Sequence, residues 1–180
     1  MIEVNIDSVR ISLMTQNRVV VLREVNSQRY LPIWIGAPEA DAITLRLQGI
    51  VVDRPLTHDL LYKTITTLGA EVEYVVVSDL KNDIFYAEIV LDVDENEVRI
   101  DSRPSDALAL AVRAEVPIYV KERVMAEAGR VPEPDITADV LLQEGSADKI
   151  EDIEEEIVEE DLGAFADFIE GLDLDDLSNA

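Results

Sequence analysis

Hydrophobic and polar positions along the first 131 residues switch between two periods. Alternation with period two marks a strand with one buried face. It runs weakly through residues 2–11, and RVVVLREV (18–25) and RYLPIWI (29–35) read as a hairpin around Asn26 and Ser27. EADAITLRLQ (39–48) changes to a mainly apolar helical pattern, with Ala42, Ile43, Leu45 and Leu47 inward and Gly49 as its stop. Thr57 can N-cap a second helix running to Leu68, with Leu60 and Leu61 on its buried side. Gly69 closes that helix where a positive φ is easiest. Strands follow at 71–78, 84–92 and 97–101, joined by turns at Lys81-Asn82-Asp83 and Asp94-Glu95-Asn96. A helix from Pro104 to Ala114, a strand at 116–120 and a helix at 121–128 complete the pattern.

The pattern echoes itself. Displacing the chain by 65 residues sets Asp41-Ala42-Ile43 over Asp106-Ala107-Leu108, Leu45 over Leu110 and Ile35 over Ile100. The expectation is an α+β fold with a mixed sheet, built on an internal duplication of a β-β-β-α unit. Two related helix starts would then lie in related places on one sheet.

A compositional break falls at Gly129-Arg130-Val131-Pro132-Glu133-Pro134, where two prolines precede an acidic run. The division is a body of residues 1–131 and an acidic, partly disordered tail of residues 132–180. Within the tail, Leu162, Phe165, Phe168, Ile169 and Leu172 fall on one face of a short amphipathic helix at 162–172. That face suits contact with the chain's own body or with a protein partner.

Charge and composition narrow the function classes. The formal net charge of −24 divides into −7 for the body and −17 for the tail. Such a field opposes non-specific nucleic-acid binding, so any such role rests on a local patch. There is no cysteine and one histidine, which excludes disulfides and zinc sites built from thiolates or several imidazoles. No apolar run approaches the ~18 residues of a membrane span, and the start MIEVNIDSVR carries no signal peptide pattern. A cytoplasmic location is expected. Walker-type and GxGxxG loops are missing from the sequence, as is a serine nucleophile elbow.

The candidate chemistry gathers at helix starts. In DSRPSDALALAVR (101–113), Pro104 suits the first helical turn, and Asp106 is favoured there by unpaired amides and the helix dipole. Good capping does not account for Asp101 and Arg103. Arg103 can grip a phosphate through its fork of donors, and Asp101 and Asp106 can share a divalent cation. DRPLTHDLL (53–61) repeats the logic with Arg54, His58 and Asp59, and His58 is the one side chain suited to acid–base work near neutral pH. Glu39 and Asp41 form a third acidic entrance. Trp34, beside Pro32, reads as core or edge-strand packing before a base-stacking platform.

Read together, LPIWIGAPEADAI, RPLTHDLL, LGAEVEYVVVSDLKNDIFYAEI and IDSRPSDALALAVRAEVPIYV resemble the bifunctional nuclease family of bacteria and plants over residues 1–128. The resemblance implies an α+β body, a homo-oligomer and a weak nuclease acting on RNA and DNA. It carries over Glu39, Asp59, Arg103, Ser105 and Asp106 as the site, with Arg54, His58 and Asp101 beside them. Metal-assisted hydrolysis is the economical scheme: Glu39, Asp59, Asp101 and Asp106 would hold Mg²⁺ or Mn²⁺. Arg103 would stabilise developing charge, with Ser105, His58 and Arg54 alongside. A metal-free scheme of Arg and His fits the same residues. The competing class is a non-catalytic regulatory or interaction module whose polar helix starts bind an anionic ligand or a protein partner.

Overall fold

The computed structural model describes residues 1–12 and 17–131. The acidic tail, with the helix expected at 162–172, lies outside the described residues. Seven strands and four helices follow one another as β1 (Ile2–Ile11), β2 (Arg18–Glu24), β3 (Tyr30–Ile35), α1 (Ala37–Leu47), α2 (Thr57–Thr67), β4 (Glu71–Lys81), β5 (Ile84–Val93), β6 (Asn96–Ser102), α3 (Pro104–Ala114), β7 (Ile118–Val120) and α4 (Glu122–Ala128). The fold is α+β.

The strands form one mixed sheet in the order β3-β2-β1-β7-β4-β5-β6. Each wing is an antiparallel meander, and the short β7 joins them, antiparallel to β1 and parallel to β4. The β4–β5 and β5–β6 loops are two residues each. Both loop residues take positive φ, at Asn82-Asp83 and Asp94-Glu95, as a tight hairpin with native twist requires.

A helix follows each meander, α1 after β3 and α3 after β6, which is the order a repeated β-β-β-α unit calls for. The register of the echo differs from the sequence expectation. The helix caps Gly36 and Arg103 are 67 residues apart, so Ala40 and Ile43 correspond to Ala107 and Leu110, and Arg46 to Arg113. Two identical letters, Asp and Ala, had drawn the displacement of 65. A common origin for the two units remains a proposal.

The core packs one face of the sheet against the helices, with Val20, Leu22, Leu31, Val75, Val77 and Ile89 meeting Ile43, Leu108, Leu110 and Met125. Eight of the eleven α3 residues are buried, so α3 is the central helix. α1 and α2 lie on it. α2 has no buried residue, and Leu60 and Leu61 are exposed, whereas Tyr62 and Ile65 lean on the core. The expected inward side of α2 is thus turned by roughly one residue. Leu47 of α1 is exposed as well.

Helix bounds correct the sequence reading in two places. α1 begins at Ala37, because extended Gly36 caps it and Pro38 fits the first turn. α2 is capped by Leu56, not Thr57, since its N–H donates back to Asp59 Oδ2 at 2.7 Å. Gly49 and Gly69 close their helices with positive φ as expected. The last strand starts at Ile118, after Glu115 turns left-handed to end α3.

Candidate functional site

Three helices start beside one another, and each carries a carboxylate as its third residue: Glu39 in α1, Asp59 in α2 and Asp106 in α3. Each acid is favoured there by the unpaired N–H groups and the helix dipole. Beyond that shared origin their partners differ, and the partners define the site.

Arg103, the cap residue of α3, folds back over its own helix. Its Nε donates to Asp106 Oδ2 at 2.6 Å and its Nη2 to Asp106 Oδ1 at 3.0 Å, a bidentate pair. The same Nη2 reaches Glu39 Oε1 at 2.8 Å, tying α3 to α1. From α2, His58 Nε2 lies 3.1 Å from Asp106 Oδ1. With the proton on Nε2, His58 donates to Asp106 and its Nδ1 becomes an acceptor. Burial works to raise the Asp106 pKa, but hydrogen bonds from Arg103 and His58, with the charge of Arg103, outweigh it and hold the carboxyl below the ordinary aspartate value. Arg103 is raised, first of all by its hydrogen bond to Asp106.

These groups line an open groove of about 660 Å³, with Pro38, Leu45, Leu56 and Thr57 as its less polar walls. That volume lies within the range of ligand sites, ~300–1,000 Å³. Arg103 also borders a second groove, of about 310 Å³, toward β3 and the β4–β5 turn. The Arg103 side chain is 66% exposed despite its three hydrogen bonds, so an incoming anion can reach it.

The other expected residues part from this cluster. Asp59 turns to the far side of α2, where Arg113 Nε binds its Oδ1 and the Leu56 N–H its Oδ2. Burial pushes the Asp59 pKa up, and those two partners more than offset it, leaving the carboxyl lowered. Asp101 sits on the edge strand β6, exposed, and lines a further hollow with Leu61, Ile65, Arg103 and Asp106, so it borders the cluster without a hydrogen bond to it. Arg54 is exposed in the loop before α2. Ser105 is buried and faces the second groove rather than the first.

The four carboxylates expected to hold a metal therefore do not converge. Among the described residues, no three His, Asp or Glu side chains gather as a metal site. Between Glu39 and Asp106 stands the Arg103 guanidinium, in the place a cation would take. As arranged, these donors do not fit a bound Mg²⁺ or Mn²⁺.

Sequence reasoning missed Arg113. Its side chain is 5% exposed, and besides Asp59 it donates to the carbonyls of Ala109 (2.8 Å) and Ala42 (3.2 Å). It joins α1, α2 and α3 in one clamp. The available signal was its place two turns after Asp106, on the same side of α3.

Comparison with known proteins bears on this arrangement. The sequence matches the bifunctional nuclease domain over residues 20–133, which include every residue of the cluster. An uncharacterized protein of Mycobacterium tuberculosis is 39% identical over 164 residues, 90% of this chain and 98% of that one. Bifunctional nuclease 1 of Oryza sativa subsp. japonica is 28% identical over 114 residues, 62% of this chain and 34% of the plant protein. Bifunctional nuclease 1 of Arabidopsis thaliana is 25% identical over 134 residues, 69% and 41% of the two chains. The chain thus spans well under half of these plant relatives. Among its described residues no helix is long and apolar enough to cross a membrane. This chain belongs to the bifunctional nuclease domain family.

Proposed function

We propose that the chain is a nuclease that hydrolyses phosphodiester bonds of RNA or DNA in the groove where α1, α2 and α3 begin. One observation carries the reading: His58 and Arg103, from different helices, meet on the single carboxylate Asp106 at an open groove. Capping alone calls for neither. Family membership supports it, because relatives of the domain are named nucleases.

In this reading Asp106 accepts the His58 Nε2–H and holds the imidazole with Nδ1 ready to take a proton from water, a general-base arrangement. Arg103 offers N–H donors to the non-bridging phosphate oxygens and stabilises charge as the bond breaks. Glu39 holds Arg103 in place until the phosphate replaces it as a partner. The site is acidic at rest, so binding depends on that exchange, and with one cationic contact it weakens only shallowly with salt.

A second reading is favoured by the engagement of Arg103 with two carboxylates: a non-catalytic module that binds an anionic ligand or a protein partner. Cleavage of labelled single-stranded RNA and duplex DNA by the full chain separates the two. It is run in Mg²⁺, Mn²⁺ and EDTA, beside identically purified Arg103→Ala and Asp106→Asn. The nuclease reading expects cleavage that falls at least about 100-fold in both variants. Equal traces of cleavage in all three proteins would overturn it.

A further inference from the structure

The second groove at Arg103 has a composition unlike the first. Ile33, Trp34, Ile35 and Pro104 line it with Ile84 and Phe85 from the β4–β5 hairpin, and Asp83 of the turn is its one acidic residue. Trp34 is 42% exposed, whereas Ile33, on the opposite face of the same strand, is 2% exposed. Strand β3 is the edge of the sheet, and the Trp34 indole stands on the face turned away from the buried Ile33. Aromatic and aliphatic surface is thus left open, next to Arg103, which also lines the larger groove.

We propose that Trp34 is a base-stacking subsite, which receives the nucleobase beside the phosphate held at Arg103 and so selects single-stranded nucleic acid. The placement of the phosphate rests on the nuclease reading given above. The chemistry is that of a single-strand site: a cation for the backbone, an aromatic face for the adjoining base. A base inside a duplex is stacked on both faces and cannot reach an indole at a sheet edge, whereas a base in a single strand can turn out onto it. The groove volume of about 310 Å³ is that of a small ligand site and not of a duplex surface. Ile84, more than half exposed at the opposite wall, gives the base a second apolar contact.

Trp34 is the single tryptophan of the chain, so its fluorescence reports on this subsite alone. The Asp106→Asn chain, which leaves Trp34 untouched, is titrated with a short single-stranded oligonucleotide, the same strand with abasic sites, and its duplex. Saturable quenching by the base-bearing single strand, with little from the other two, is expected. Affinities of labelled strands, read by anisotropy, should weaken about 5- to 150-fold in Trp34→Ala, with Trp34→Phe in between. No quenching, equal quenching by abasic or duplex DNA, or unchanged affinity in Trp34→Ala would overturn the subsite. Quenching without any cleavage by the unmutated chain would leave the subsite standing and remove the nuclease reading. Cleavage with no effect at Trp34 would do the reverse.

Discussion

Two arginines on α3 each bind the third residue of a helix, and their fates are opposite. Arg113 is buried and meets the partly exposed Asp59, while two backbone carbonyls use its remaining donors. Arg103 meets Asp106 at the surface, with Glu39 as a second partner that a ligand can replace. The same pair of residue types therefore makes a fastening in one place and a reactive cluster in the other. Burial of the arginine makes the difference: the Arg113 side chain is 5% exposed and that of Arg103 66%, so water screens the second pair far more.

The contrast breaks first at Arg113. Arg113→Ala should lower stability by about 1–3 kcal/mol, read as the urea midpoint, because two carbonyls beneath it lose their donor. Arg103→Ala should stay within about 1 kcal/mol of the unmutated chain. Equal losses would mean that both pairs are structural. Activity should divide the other way. His58→Ala should reduce cleavage by about 100-fold or more with the urea midpoint held, whereas a folded Asp59→Asn should keep the cleavage rate of its folded fraction.

Acid sharpens the comparison with a smaller effect. Asp59 and Asp106 both have folded pKa values below the ordinary aspartate value. Their contribution is complete above the unfolded pKa of about 3.9 and is lost as pH falls through the lower folded values. Stability should thus decline below about pH 4, and Asp59→Asn should flatten that acid limb in denaturation measured from pH 6 to 2. The smallest effect is expected at Gly36. A Cβ there would stand 2.2 Å from Glu39 Oε2, and that flexible carboxylate would have to shift. The backbone itself accepts alanine, with φ of −68°. Gly36→Ala should leave the melting temperature nearly unchanged while loosening Arg103, seen as altered salt dependence of nucleic-acid binding.

Much of the fold was legible because its signals are local. Period-two runs, paired turn residues and the glycines at 49 and 69 depend on their near neighbours, and every element expected within residues 1–131 exists. The face of α2 was not legible. Leu60 and Leu61 look like core letters, but a helix lying on another helix at the molecular edge leaves them in water. The site was half legible. Helix capping concentrated acids at positions 39, 59 and 106, yet no sequence feature says which way each carboxylate turns. Asp59 was grouped with the other two because its partner Arg113 sits 54 residues away on a different helix. Trp34 was read as core or edge-strand packing, and it lies on the edge strand β3, 42% exposed.

Strand β7 has a consequence for how the body comes together. Each meander can pair its strands as soon as they are made, but Ile2 pairs with Val120 and Val75 with Ile118. On the ribosome the two halves of the sheet, linked through their helices, must wait with β1 and β4 unpaired across the seam until a three-residue segment near the end of the body emerges. Such late, long-range closure is slow compared with local hairpins. During the delay β1 and β4 each present an open row of amides and carbonyls, a template for neighbouring chains. A chain cut before Ile118 would hold that state permanently, and aggregation rather than simple unfolding would be its characteristic failure.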